Sequence, residues 1–187
     1  MIVVAAVLAA VGLAIALWPR SPQRTADQCG PVDGRPSEIG LDAAGQTTVC
    51  LVNRERTQRG LSPLGVNALL NAASLEHSQD MVRRRYFEHS TPEGRTVIDR
   101  LRAVGYSRGA SASTGENLAY GVGAESTPAA IVRAWMHSPG HREDILRPAY
   151  TEVGIGIALG SPPRPDSDGA TYTTDFGGVI DPSLPNG

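Results

Sequence analysis

The sequence has little cysteine and no excess of charge of either sign. Only two cysteines occur in 187 residues, which excludes a small fold held together by several disulfides. The net charge is −2, and apart from the run at residues 83–85 the basic residues are scattered. Since there is no broad basic face, we expect no nucleic-acid partner. The length suits one domain and a leader, with room for a substantial core and no internal repeat.

An unbroken apolar run covers residues 2–18. It is short for a membrane-spanning helix and long for a core strand, so residues 1–18 are predicted to be either a signal peptide or a membrane anchor. No basic residue precedes the run, and Arg20 and Arg24 follow it, which is atypical of both. Either segment would place the rest of the chain outside the cytoplasm, with the membrane reached only through this N-terminal segment.

The two cysteines agree with that compartment. An even pair in an exported chain predicts one disulfide between Cys29 and Cys50, which would join the N-terminal arm to the domain. The alternative is two unpaired thiols, because the sequence does not show whether the Cα atoms approach to about 6 Å.

Composition divides the rest of the chain into a linker or surface arm at residues 19–46 and a domain at residues 47–180. Asn67 and Thr127 are good N-caps, and Gly60 and Gly105 are typical helix ends. A stripe at helical spacing after Asn67 contains Leu70, Ala73, His77 and Met81. The four predicted helices cover residues 47–59, 67–85, 96–104 and 127–135.

Strand patterns come mostly late in the sequence. Residues 153–159 alternate apolar and small side chains, residues 170–176 have strand composition, and the turn-rich residues between them predict an antiparallel hairpin. Residues 117–122 are the candidate third strand. Gly121, Gly154 and Gly156 would let helices lie close to the sheet. We therefore expect an α+β fold, a three-layer α-β-α sandwich with a small antiparallel sheet.

Three short segments place an imidazole or an acid beside turn residues: YFEHSTP (86–92), GENLA (115–119) and WMHSPGHR (135–142). His89 lies just past a helix end, where side chains can point into a cleft. His141 follows Pro139-Gly140 at the start of a helical turn, a position that favours the neutral imidazole that binds metals. Glu116 suits the orientation of a ligating histidine or the role of a base on bound water.

The order and wording of these segments resemble the CAP superfamily of cysteine-rich secretory proteins, antigen 5 and pathogenesis-related 1, over about residues 47–178. The resemblance implies the same three-layer fold and a central cleft with two histidines and two glutamates. His89, Glu116 and His141 match three of those positions. Ser138 stands where the eukaryotic pattern has the second glutamate, as in the bacterial branch with its Trp-x-x-Ser-x-Gly-His pattern.

We predict that His89 and His141 bind zinc or another divalent cation, with Glu116 orienting a ligand. Ser138 and His137 are predicted to border this cleft without binding the metal. His77, on its apolar stripe, is predicted to be a core histidine.

Three classes of function remain open. The first is a secreted binding module that holds a metal and, as the resemblance implies, a lipid or other cell-envelope ligand. The second is a metal-dependent hydrolase or peptidase, for which we expect little activity because Ser138 provides no second carboxylate. A serine hydrolase lacks support, since no Gly-x-Ser-x-Gly occurs. The third is a non-catalytic cell-envelope interaction protein.

Overall fold

The computed structural model describes residues 29–106 and 112–179, so the apolar run and the first part of the predicted linker lie outside the described residues. In chain order the elements are α1 (Pro36–Ile39), α2 (Leu41–Thr57), β1 (Gly65–Val66), α3 (Ala68–Arg84), α4 (Val97–Val104), β2 (Ala112–Val122), a 3₁₀ turn (Gly123–Ser126), α5 (Pro128–His137), α6 (Pro139–Leu146), β3 (Glu152–Leu159) and β4 (Gly169–Val179).

Four strands form one sheet in the order β1-β3-β4-β2. β3 and β4 form the predicted antiparallel hairpin, and β2 pairs antiparallel with β4 along its whole length, which confirms the three predicted strands. β1 pairs in parallel with β3, so the sheet is mixed and not purely antiparallel. With only two residues, β1 is too short to leave a periodic pattern in the sequence.

Different helices cover the two faces of the sheet. Gly154 and Gly156 face α3, whose backbone would lie 2.2 Å and 2.1 Å from a Cβ added at these positions. On the other face, Val153 and Ile157 join residues of α2, α5 and α6 in the main core around Trp135. The predicted three-layer sandwich is therefore confirmed, and these two glycines do allow a helix to approach closely.

The predicted helix starts are confirmed at three positions. The side chains of Asn67, Thr96 and Thr127 each accept a hydrogen bond from a backbone N–H in the first turn of α3, α4 and α5. Gly105 ends α4 in the left-handed conformation, with φ of 86°. Since cap chemistry is local, these boundaries are readable without tertiary information.

The helices differ from the prediction at three places. α2 begins at Leu41 and not at residue 47, so Gly45 of the predicted linker lies inside the helix, where an added Cβ would lie 3.4 Å from the Ile155 side chain. The short helix α1 also lies in the predicted linker. Pro139 does follow the end of α5, but it also starts α6, because proline is tolerated in the first helical turn.

The predicted disulfide between Cys29 and Cys50 is present, with 5.4 Å between the Cα atoms. This distance lies within the ordinary range for a disulfide. It joins the start of the described chain to α2, so the alternative of two unpaired thiols is wrong.

A fully buried arginine fastens α6 to α2. Arg56 is 1% exposed and donates hydrogen bonds to the backbone carbonyl groups of Ser62, Ile145, Arg147 and Tyr150, at 2.8 to 3.1 Å. Two of these carbonyl groups lie at the C-terminal end of α6, where intrahelical donors run out. Arg56 thereby holds the helix that carries His141.

Candidate functional site

The three predicted cleft residues come from three different elements. His89 lies in the loop after α3, Glu116 on β2, and His141 in the first turn of α6. β2 is an edge strand of the sheet, and α3 and α6 pack on opposite faces. The loop after α3 and the start of α6 thus meet at the β2 edge.

A hydrogen bond joins His89 to Glu116. The Nδ1 atom of His89 lies 2.8 Å from Oε1 of Glu116. Because a carboxylate only accepts, Nδ1 carries the hydrogen, and the lone pair of a neutral ring is on Nε2. The Glu116 side chain is 2% exposed and that of His89 is 60% exposed, so the acid is buried behind a ring that solvent reaches.

Arg100 of α4 contacts both His89 and Glu116. Its Nη2 atom pairs with Oε2 of Glu116, and its Nη1 atom donates to the backbone carbonyl of His89 at 2.9 Å. The Arg100 side chain is 1% exposed, so this is a buried ion pair. Both oxygens of Glu116 are therefore occupied, one by His89 and one by Arg100.

Electrostatics differ between the two imidazoles. The hydrogen bond that His89 donates to Glu116 raises the pKa of His89, whereas burial, followed by the charge of His89, lowers the pKa of His141. The effect of His89 on His141 is that of a positive charge close to the second ring. His141 is accordingly held toward the neutral form that binds metals.

Asp144 and Tyr150 lie beside the same cleft. Burial raises the pKa of Asp144, whose Oδ1 atom accepts a hydrogen bond from the Tyr150 hydroxyl at 3.3 Å. A Cβ added at Gly115 would lie 2.4 Å from that hydroxyl and 2.8 Å from Asp144 Oδ1. Gly115, the first residue of the GENLA segment, therefore leaves the space that these two side chains fill.

Among the described residues, the side chains of the other histidines and of Ser138 make no hydrogen bond to His89, Glu116 or His141. His77 is fully buried in α3, as predicted, with Nε2 3.0 Å from the carbonyl of Glu88. His137 ends α5, where its ring bonds the carbonyl of Arg133 at 2.7 Å and lines a groove shared with Arg142. Ser138 forms the junction between α5 and α6, and its side chain makes no capping hydrogen bond.

Sequence reasoning missed Arg100, Asp144 and Asp175. Asp144 follows His141 by three residues on one helix, a spacing that places both on one face and was available as a signal. Asp175 is a fully buried acid in a strand of threonines and aromatics, which was a second signal. Nothing local distinguishes Arg100 from Arg102 in the same helix.

Metal donors at this site are limited to a few groups. Within residues 29–106 and 112–179, no three or more His, Cys, Asp and Glu side chains are grouped so that they could hold a metal ion. Glu116 is buried and bonded to His89 and Arg100, which leaves the two imidazoles as the principal donors. The residues fit a divalent ion bound by two imidazoles and solvent, and they do not fit a closed structural zinc site with four protein ligands.

Fold and site together define an α-β-α domain with two histidines and a buried glutamate at the sheet edge. A sequence profile of the CAP (cysteine-rich secretory protein) family matches residues 49–164, and the chain belongs to this family. The resemblance seen in the sequence is thereby confirmed.

Two relatives come from Bacillus subtilis (strain 168). The protein YkwD is 36% identical over 132 residues, which cover 71% of this chain and 48% of that protein. The membrane protein YlbC is 35% identical over 109 residues, 57% of this chain and 29% of that protein. The chain thus spans less than half the length of the curated relatives it matches.

Solved structures show the same fold. An extracellular protein with an SCP domain from Bacillus anthracis str. Ames has a TM-score of 0.60 and 28% identity, covering 73% of this chain and 40% of that one. An outer surface protein of Borrelia burgdorferi has a TM-score of 0.59 over 71% of this chain and 90% of that one, and at 20% identity it supports the fold alone. Within the described part of this chain, every helix is too short or too polar to cross a membrane.

Proposed function

We propose that this protein is an extracellular binding protein whose cleft holds a divalent cation, zinc first, through His89 and His141. The hydrogen bond from His89 Nδ1 to Glu116 carries the proposal. The lone pair of Nε2 is then free to bind a metal, and the ring is exposed to solvent. Carboxylates commonly orient metal-binding histidines in this way. Water would complete the shell, and Asp144, whose charge acts on both rings, is a further carboxylate nearby.

The metal would be bound and not used for hydrolysis. A base on metal-bound water must reach that water, whereas the Glu116 side chain is 2% exposed and lies behind the His89 ring. Glu143, the acid next to this segment, is exposed and pairs with Arg147 at 2.8 Å. We expect no peptidase turnover above background.

A zinc titration of single histidine variants tests the metal site. Wild type is expected to take up one zinc ion, and His89→Ala and His141→Ala are each expected to weaken binding about tenfold or more. Stoichiometry is measured by elemental analysis and affinity by calorimetry, with folding checked by circular dichroism. His137→Ala is the matched control, because His137 is exposed and lies in another groove. Folded wild type that binds no zinc, or loss of zinc in the control alone, contradicts the assignment.

A second ligand site is favoured by a groove between α2 and α5. Its volume is about 470 Å³, within the range of small-molecule sites, and an adjoining pocket of about 340 Å³ shares Met136, His137 and Arg142 with it. Leu51, Val132 and Met136 supply apolar surface.

The groove has arginine side chains that no described carboxylate neutralises. Arg54, Arg133 and Arg142 line it, and within the described residues none of the three pairs with a carboxylate. The acid that does line it, Glu55, is neutralised by Arg59 at 2.7 Å. Apolar surface beside unpaired guanidinium groups suits a lipid with an anionic headgroup, so we propose this groove as the lipid site.

An alkyl phosphate below its micelle concentration is the probe for this site. We expect Arg133→Ala combined with Arg142→Ala to weaken binding of dodecyl phosphate about tenfold or more, since two charge-assisted contacts are lost. Arg102→Ala, an exposed change on α4, should bind as wild type does. If wild type, the double variant and Arg102→Ala bind dodecyl phosphate with equal affinity in calorimetry, the groove is not the lipid site.

A further inference from the structure

Two buried acids lie side by side behind the cleft. Glu116 on β2 and Asp175 on β4 are register partners in the antiparallel pair, so their side chains project from the same face of the sheet. Both are buried: Asp175 is 0% exposed and Glu116 is 7% exposed. As directly opposed residues of neighbouring strands, the two carboxylates lie side by side, and neither has a hydrogen to share while both are ionised.

One oxygen of Asp175 lacks a donor. Oδ2 accepts a hydrogen bond from the Ser74 hydroxyl at 2.7 Å, whereas Oδ1 is buried and has no partner among the described residues. The oxygens of Glu116 already accept from His89 and Arg100. A buried acceptor without a donor is costly, and a proton between the two acids would remove that cost.

Cations around the pair are too few for two negative charges. Arg100 on α4 pairs with Glu116, and His89 in the loop after α3 bonds its other oxygen. On α3, Ser74 is uncharged, and burial lowers the pKa of His77, which favours its neutral form. Two adjacent carboxylates out of contact with water cannot both ionise at low cost when one permanent cation faces them.

We propose that Asp175 carries a proton at neutral pH and donates it in a hydrogen bond to Glu116, so that the two acids form one singly charged pair. Asp175 is then a positioning residue. It contacts neither imidazole, and it acts on His89 only through Glu116, whose negative charge it leaves intact for His89 and Arg100. Burial and the charge of Glu116 raise the pKa of Asp175, in agreement with the geometry. The proposal needs no metal and is independent of the proposed zinc site.

Carboxyl carbon chemical shifts measured by NMR across pH 3–9 on metal-free protein test the protonation directly. Asp175 is expected to titrate well above the ordinary aspartate value of about 4, because burial and the charge of Glu116 raise its pKa. In Glu116→Gln the amide can donate to Asp175 and leaves Arg100 without its acid, so Asp175 should ionise near or below the ordinary value. Asp175 titrating near the ordinary aspartate value of about 4 in wild type would overturn the proposal.

Stability as a function of pH provides a second readout. Between about pH 4 and the titration of Asp175, the folded state holds a proton that the unfolded state has released, so raising the pH lowers wild-type stability. In Asp175→Asn the amide N–H can still donate to Glu116, but residue 175 no longer titrates. The free energy of unfolding of this variant, measured with urea, should therefore rise relative to wild type as the pH increases over that range. Asp166→Asn is the control, and its free energy of unfolding should change with pH over that range as that of wild type does. A constant offset between Asp175→Asn and wild type at all pH values would refute the proposal without affecting the zinc site.

Discussion

Arg100→Met is expected to lower the free energy of unfolding by about 3–5 kcal/mol, because it leaves the buried Glu116 without its permanent cation. Both partners are nearly inaccessible, at 1% and 2% side-chain exposure, so water cannot replace the lost contact. The variant also loses the hydrogen bond from Nη1 to the carbonyl of His89, so the loop that carries the cleft histidine should become mobile. Urea unfolding measures the first effect, and amide exchange in residues 86–92 measures the second.

Arg95→Met is the matched control for that result. Arg95 pairs with Glu76 at 3.0 Å, but its side chain is 38% exposed, and exposed pairs contribute less than about 1 kcal/mol. The double variant Arg100→Met with Glu116→Gln should recover part of the loss, since no unpaired charge of this pair is left buried. If Arg100→Met costs no more than Arg95→Met, the ion pair does not support the cleft.

Gly156→Ala is expected to destabilise the fold by about 3 kcal/mol or more, because the new methyl group would collide with the backbone of α3. The added Cβ would lie 2.1 Å from the Leu75 nitrogen and 2.2 Å from the Ser74 carbonyl carbon. Backbone atoms cannot rotate aside as a side chain can, so α3 must move away from the sheet. Ser74, which bonds Asp175, lies on the displaced turn, so the effect should reach the buried acids.

Gly140→Ala makes the same chemical change at a permissive position. Gly140 lies in α6, and nothing would approach an added Cβ within 4 Å. Alanine is the better helix former, so this variant is expected to gain up to about 1 kcal/mol. Thermal and urea unfolding of both variants should therefore move in opposite directions. A stable Gly156→Ala protein would show that α3 does not pack as closely as described.

Local patterns in the sequence predicted many of the helices and strands. Asn67, Thr96 and Thr127 marked helix starts because a capping side chain bonds its own helix. The alternation at residues 153–159 marked β3 because neighbouring residues of a strand point to opposite faces. The start of α2 was predicted six residues too late, because glycine inside a helix resembles linker composition and Gly45 faces Ile155 only in the folded chain.

The sequence predicted the two histidines and the glutamate of the candidate site but not their buried partners. His89, Glu116 and His141 stood out because each adjoins a turn residue in an unusual short segment. Their partners did not stand out, because Arg100 resembles other helical arginines and Asp175 meets Glu116 only through the pairing of β2 with β4.

The sequence by itself determined the helix caps, the three longer strands, the cysteine pair and the three segments that carry the cleft residues. These features depend on periodicity, on turn chemistry or on redox compartment, all of which act over a few residues or on composition. Only the tertiary structure decided which charges meet. Arg100 and Glu116 are 16 residues apart, and Glu116 faces Asp175 because strand register aligns them. Register and helix-to-sheet packing are set by the whole core, so no local pattern records that Glu116 meets both a buried arginine and a buried aspartate.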